Sequence, residues 1–255
     1  MQAQSIDEVI QLLDKIINDS IASSNRMGYF AALYKRVTVA VADKIKLEYF
    51  DDNARMEKLD VVFANRYLDA YENYKNGNIC TGSWCLAFNI TKSWQPMVIH
   101  HLLAGMNAHI SLDLGIAAAT VSPGESITSI QNDFNKINTI LEGMVNDIKM
   151  ELFEMWPPSK WIVQLNTGKI ENALAGFSMT VARDAAWQVA LDYAPLNLKP
   201  NQELYISARD KKVEAFGRSF LYPKLWLSLL SGLLRIFEFG SIPDKIKKLN
   251  GTISK

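Results

Sequence analysis

The stretch His100-His101-Leu102-Leu103-Ala104-Gly105-Met106-Asn107-Ala108-His109-Ile110-Ser111-Leu112-Asp113-Leu114-Gly115 decides the reading of the fold. It holds all three histidines of the chain, and no proline falls between Pro96 and Pro123. Leucine and alanine at this density predict a helix, and the scarcity of charge predicts that it is buried. A helix that is only structural has no need of imidazoles and a carboxylate, so the same stretch marks a candidate site. Successive residues turn by about 100° and rise by about 1.5 Å, which stacks His109 and Asp113 on one face with Met106 and Leu102. A carboxylate one turn from an imidazole can orient it, set its tautomer or share a metal with it. His101 lies about 12 Å along the axis from His109, so the two do not reach one ion on a straight helix. His100 points to the opposite side. Gly105 weakens the helix by about 1 kcal/mol against alanine and lets a neighbour approach closely. The structural alternative is that His109 and Asp113 only satisfy each other in the core.

Working outward, the flanks repeat the helical period. Ser5-Ile6-Asp7-Glu8 reads as a helix start. Phe30, Leu33, Tyr34, Val37 and Val41 give a second helix over about 27–46. Asp51 or Asp52 caps a third, whose apolar side carries Met56, Leu59, Val62, Phe63 and Leu68. Further helices are expected over 126–155, 171–193 and 202–218, the last one polar and on the outside. The expected fold is all-α: a single domain over 1–255, a multi-helix bundle around a central buried helix at about 96–118. The apolar run 224–237 has a core of about ten residues, short of the roughly 20 that span a bilayer. It is expected as a buried helix or as a homodimer contact, and no transmembrane segment is expected. The basic tail 241–255 is expected to fray.

Glu57 and Asp60 are i and i+3, so they share a helix face. Like charges on one face cost free energy unless a cation, an arginine or a proton lies between them. A salt-bridged, solvated face is the structural alternative. The functional expectation is that they meet His109 and Asp113 as a catalytic cluster for acid/base work. In the metal version, His109 and Asp113 hold one divalent ion with carboxylate help. In the metal-free version, Asp113 orients His109 and His109 is the base. Tyr29, Tyr34, Arg66, Trp84, Asn107 and Asp133 are the candidate substrate-binding residues, with Trp94 a further aromatic wall.

The strings GMNAHISLDLG, RMEKLDVVFANRYLDAY and NDFNKIN resemble the bacterial family DUF5995, a family of unknown function, from about Arg26 to the C-terminal region. The resemblance implies no established activity. The His109–Asp113 spacing is similar to the H-x-x-x-D pair of all-helical zinc-dependent phospholipase C and nuclease proteins. Those use several histidines and an N-terminal tryptophan amine, whereas this chain has three histidines and begins Met1-Gln2. FDDNARME, around Asp51 and Asp52, has a loose likeness to the acid-rich segment of terpene cyclases, without their second metal-binding segment.

Composition removes other classes. Of 255 residues, 49% are hydrophobic and 21% charged, which suits an ordered globular protein. Lys plus Arg equal Asp plus Glu at 27 each, so no bulk charge favours nucleic acid. The polar start with Asp7 and Glu8 is unlike a signal peptide, and a cytoplasmic protein is expected. Cys80 and Cys85 are expected as reduced thiols. No phosphate-binding glycine loop, H-E-x-x-H or G-x-S-x-G string occurs. The expected function is an enzyme acting on a small, largely apolar molecule, with metal-assisted hydrolysis one version. The alternatives are a cofactor-free cyclase-like enzyme and a non-catalytic helical binding protein.

Overall fold

The apolar stretch around His109 forms a helix from Val98 to Val121, and 94% of its most apolar window is buried. By length and composition it could cross a bilayer; here the other helices cover it, as an all-round apolar helix requires in a folded core. The computed structural model describes residues 1–157, 179–222 and 235–251. Among these the elements are α1 (Ile6–Ala22), α2 (Gly28–Lys46), α3 (Asn53–Lys75), α4 (Gly82–Asn89), α5 (Val98–Ala108), α6 (Gly115–Val121), α7 (Gln131–Met155), α8 (Met179–Tyr193), α9 (Lys199–Leu221) and α10 (Ile242–Leu249). Short 3₁₀ segments precede α7 and follow α4, and no strand is formed among the described residues. The fold is all-α around a buried central helix.

Between α5 and α6 the central helix does not stay α. His109–Leu114 is a π-helical turn. Such i→i+5 turns widen the helix and are frequent at functional sites. All six of its residues are buried. The Ser111 carbonyl accepts the Nε–H of Arg209, which lies on α9, at 3.0 Å. Two glycines let helices close onto this element. A Cβ on Gly105 would stand 2.3 Å from the Phe30 ring, and one on Gly115 would stand 2.3 Å from the Ala186 carbonyl oxygen of α8.

The ends of α1 and α3 follow the expected chemistry. The Ser5 hydroxyl accepts from the Glu8 N–H, and the Asp52 carboxylate from the Arg55 N–H. Three expectations need correction. The tail does not fray over 242–249, where α10 buries Ile246 and Leu249 completely. Ser241 and Asp244 cap it reciprocally. Cys80 and Cys85 form a disulfide rather than two thiols. The polar helix α9 is no outer cover only: it buries Asp210, Val213 and Gly217 against α4 and the central helix. The run 224–237, with its dimer expectation, lies outside the described residues up to Leu234, as does the first part of the helix expected at 171–193.

Candidate functional site

The helices α2, α3, α5, α7 and α8, with the π turn, line a half-open chamber of about 140 Å³. A cavity of about 150 Å³ holds benzene, so this one suits a molecule of roughly six carbons. Its lining is overwhelmingly apolar. Met56, Met106, Met144 and Met179 line it together with Phe30, Phe63 and Phe134. Methionine adapts its shape to a guest, and aromatic faces supply broad apolar contact. Asp60, His109, Arg183 and the Tyr34 hydroxyl are the exceptions.

Asp60 sits on the inner face of α3, 9% exposed, and its Oδ2 has no hydrogen-bond partner. Burial pushes its carboxyl up to about 7, and the Glu57 charge adds to the effect. The group is therefore poised between acid and base near neutral pH. His109 is packed among rings. It stacks on Phe63 at 3.5 Å between centroids and 7° between planes, with Tyr34 edge-on at 4.3 Å. Neither ring nitrogen has a partner. Burial holds the imidazole well below its usual pKa, with the Arg66 charge pushing the same way. It is thus a neutral ring at pH 7. Burial raises the Tyr34 hydroxyl well above its ordinary range, so it stays protonated.

Arg183, on α8, is 4% exposed. Its Nη2 donates to the Phe134 carbonyl, and the guanidinium carbon lies 4.5 Å from the Phe134 ring centroid. Its Nε has no partner. Burial lowers its pKa to about 10, and Asp184, exposed beside it in the chain, opposes this. Among the described residues no carboxylate forms an ion pair with it.

The structure brings together three of the expected site residues, Asp60, His109 and Tyr34, and separates the others. Asp113 does not orient His109. Its Oδ1 accepts from Arg66 Nε and its Oδ2 from Trp84 Nε1, each at 2.7 Å. Arg66 and Trp84 thereby hold the π turn and are absent from the chamber wall. Burial raises the Asp113 pKa against the opposing pull of Arg66 and Trp84. Glu57 leaves the cluster by turning to α1, where it accepts the Ile6 N–H at 3.4 Å.

The expected metal pair fails on the same geometry. Both Asp113 oxygens are engaged, His109 is stacked, and no three His, Cys, Asp or Glu side chains converge among the described residues. The donors at His109 and Asp113 do not fit a divalent ion. Asp133 accepts the Asp51 and Asp52 N–H groups at 2.7 and 3.0 Å, so it caps the entry to α3 rather than meeting a substrate. Asp51 pairs with Lys136 and Asn132, which leaves the acid-rich segment as a capping device. Asn107 Nδ2 donates to the Val213 carbonyl and ties α9 to α5. Tyr29 is buried edge-on to His101, away from the chamber. Trp94 is 57% exposed and walls nothing.

Phe63, Phe134 and Arg183 are the residues that sequence reasoning left out. For Arg183 the signal is a single basic residue within the apolar face of Met179-Thr180-Val181-Ala182-Arg183, four positions after Met179. No curated protein and no solved structure matches the chain. Residues 6–223, most of the chain and all five helices of the chamber, match the model of a family described as "Family of unknown function (DUF5995)", and the chain belongs to that family.

Proposed function

We propose that this protein is an enzyme that takes a small, largely apolar molecule into the chamber and that Asp60 exchanges a proton with it. One observation carries the reading: an unpartnered buried carboxyl, held at about 7, on the wall of an apolar cavity of about 140 Å³. A general acid or base works best when its pKa lies near the working pH. The expected metal-assisted version gives way to a metal-free one, because the donor geometry above suits no ion. His109 moves from base to wall. A neutral imidazole with two unpartnered nitrogens can donate or accept one hydrogen bond to a bound molecule, and its stacking on Phe63 fixes where.

The test is occupancy. Protein denatured in organic solvent would release the molecule for mass spectrometry, and Leu33→Trp, which fills the chamber, serves as the control. An apolar compound recovered from the wild type and lost in the variant supports the reading. Turnover of that compound which disappears in Asp60→Asn, with binding retained, supports the proton-transfer role. Equal recovery from both proteins places the compound elsewhere and ends the reading.

A further inference from the structure

The guanidinium of Arg183 is the one buried cation on the chamber wall among the described residues, and nothing in the site explains it. A buried charge is ordinarily paired. This one has a carbonyl, an aromatic face and an unpartnered Nε. The two other buried cations among the described residues share a carboxylate. Arg235 and Lys245 both reach Glu238, at 2.7 and 2.8 Å. The half-buried Arg66 also reaches a carboxylate, that of Asp113, at 2.7 Å. Asp60 lines the same chamber but makes no ion pair with Arg183. We infer that the chamber takes a molecule with an anionic head and a short apolar body, the head accepting hydrogen bonds from Arg183 and the body lying against Phe134, Met179 and Met144.

This rests on the chamber being a ligand site, as proposed above, and it names the class of ligand. A planar carboxylate suits the planar fork of a guanidinium, and an ionised acceptor makes the stronger kind of hydrogen bond. The chamber volume accommodates a body of roughly six carbons, the size of a short aliphatic or single-ring acid. Asp60 then acts on the body or on the carbon beside the head. At pH values where it is ionised it also repels the head, so the protonated form of Asp60 favours binding.

The experiment is calorimetric titration with two probes of equal length, hexanoate and 1-hexanol, at about pH 6. A carboxylic acid is ionised there, while Asp60 is largely protonated. The wild type should bind hexanoate at least about tenfold more tightly than the alcohol. Arg183→Met should lose that preference and keep the alcohol, and Arg183→Lys should retain part of it. A wild type that binds the alcohol as tightly as the acid overturns the head-group assignment and leaves the chamber standing. So does an Arg183→Met variant that still prefers the acid. Binding of neither probe to the wild type overturns the assignment and the proposed function together. If Arg183→Met does not fold, the wild-type comparison and Arg183→Lys still decide between these outcomes.

Discussion

Replacing Asp60 by asparagine should stabilise the protein at alkaline pH and do little in acid. Asp60 has no ion-pair partner and one orphaned oxygen, and burial raises its carboxyl from an ordinary 3.8 to about 7. For a carboxyl shifted upward, the native state binds more protons than the unfolded state between the two values. Stability contributed by the protonated group is complete below about pH 4. It declines as pH rises and levels off once pH passes the folded value near 7. Asparagine has nearly the same shape and does not titrate.

At about pH 5 the ionised form disfavours folding by roughly one pKa unit, and at about pH 8 by roughly three. One unit is about 1.36 kcal/mol, so the stability gap between Asp60→Asn and wild type should widen by about 3 kcal/mol across that range. For a chain of this size the widening corresponds to roughly 5–10 °C in Tm. The assay is urea unfolding of both proteins at each pH. Taking the difference between them cancels every other titrating group. A gap that stays constant from pH 5 to pH 8 refutes the claim that Asp60 titrates there. Such a constant gap means that the folded protein holds Asp60 as an anion throughout, as the unfolded chain does above about pH 5, and the proton-transfer proposal falls with it.

Two further outcomes test the framework around the chamber. Asp113→Ala should cost about 3 kcal/mol, since it orphans the buried Trp84 N–H and leaves Arg66 unpaired; a chemical-denaturation curve matching wild type would show that the network does not hold the π turn. Gly115→Ala should cost about 1–3 kcal/mol, because its Cβ meets the Ala186 backbone oxygen at 2.3 Å. Gly143→Ala in the exposed middle of α7 meets nothing within 4 Å and should gain about 0.5–1 kcal/mol. Melting temperatures that move in the same direction for both variants contradict the packing described for Gly115.

The long helices α1, α2, α3 and α7 were legible because each carries one apolar face at the helical period, as Phe30, Leu33, Val37 and Val41 do on α2, whereas the short α4 was not expected. The close approach at Gly105 was legible from its position mid-helix. What failed was long-range placement. A π turn has no local sequence signature, so His109 and Asp113 read as a stacked pair. The fold instead gives Asp113 to an arginine 47 positions away and to a tryptophan 29 positions away. Arg183 could not be placed on the chamber because α8 reaches it only through the tertiary fold, packed against the π turn and α6. The tail read as frayed because its lysines hide an apolar stripe at Ile242, Ile246 and Leu249, the i, i+4, i+7 pattern of a docked face. Cysteine spacing alone does not report whether two Cβ atoms come into bonding range, as those of Cys80 and Cys85 do.

Among the buried carboxylates of the described residues, Asp60 is the one with an unpartnered oxygen, and it lies on the chamber wall. Elsewhere the buried acids have partners, Asp113 with the Arg66 and Trp84 side chains and the others with backbone. Asp133 takes two N–H groups before α3, Asp210 takes those of Gly82 and Ser83, and Glu238 takes that of Val98. A fold that satisfies its carboxylates this consistently has the means to satisfy one more. Around the chamber it does not: Asp60, His109 and Arg183 each keep an unpartnered atom on one apolar surface. Each such atom costs about 1–3 kcal/mol, and apolar replacements of similar shape would remove that cost. Under the proposed function, a carboxylate-bearing guest would offset the cost at Arg183 and dry the chamber around Asp60, which would raise that carboxyl further. Binding and protonation would then be coupled through one space, with Asp60 most fully protonated when the guest is present.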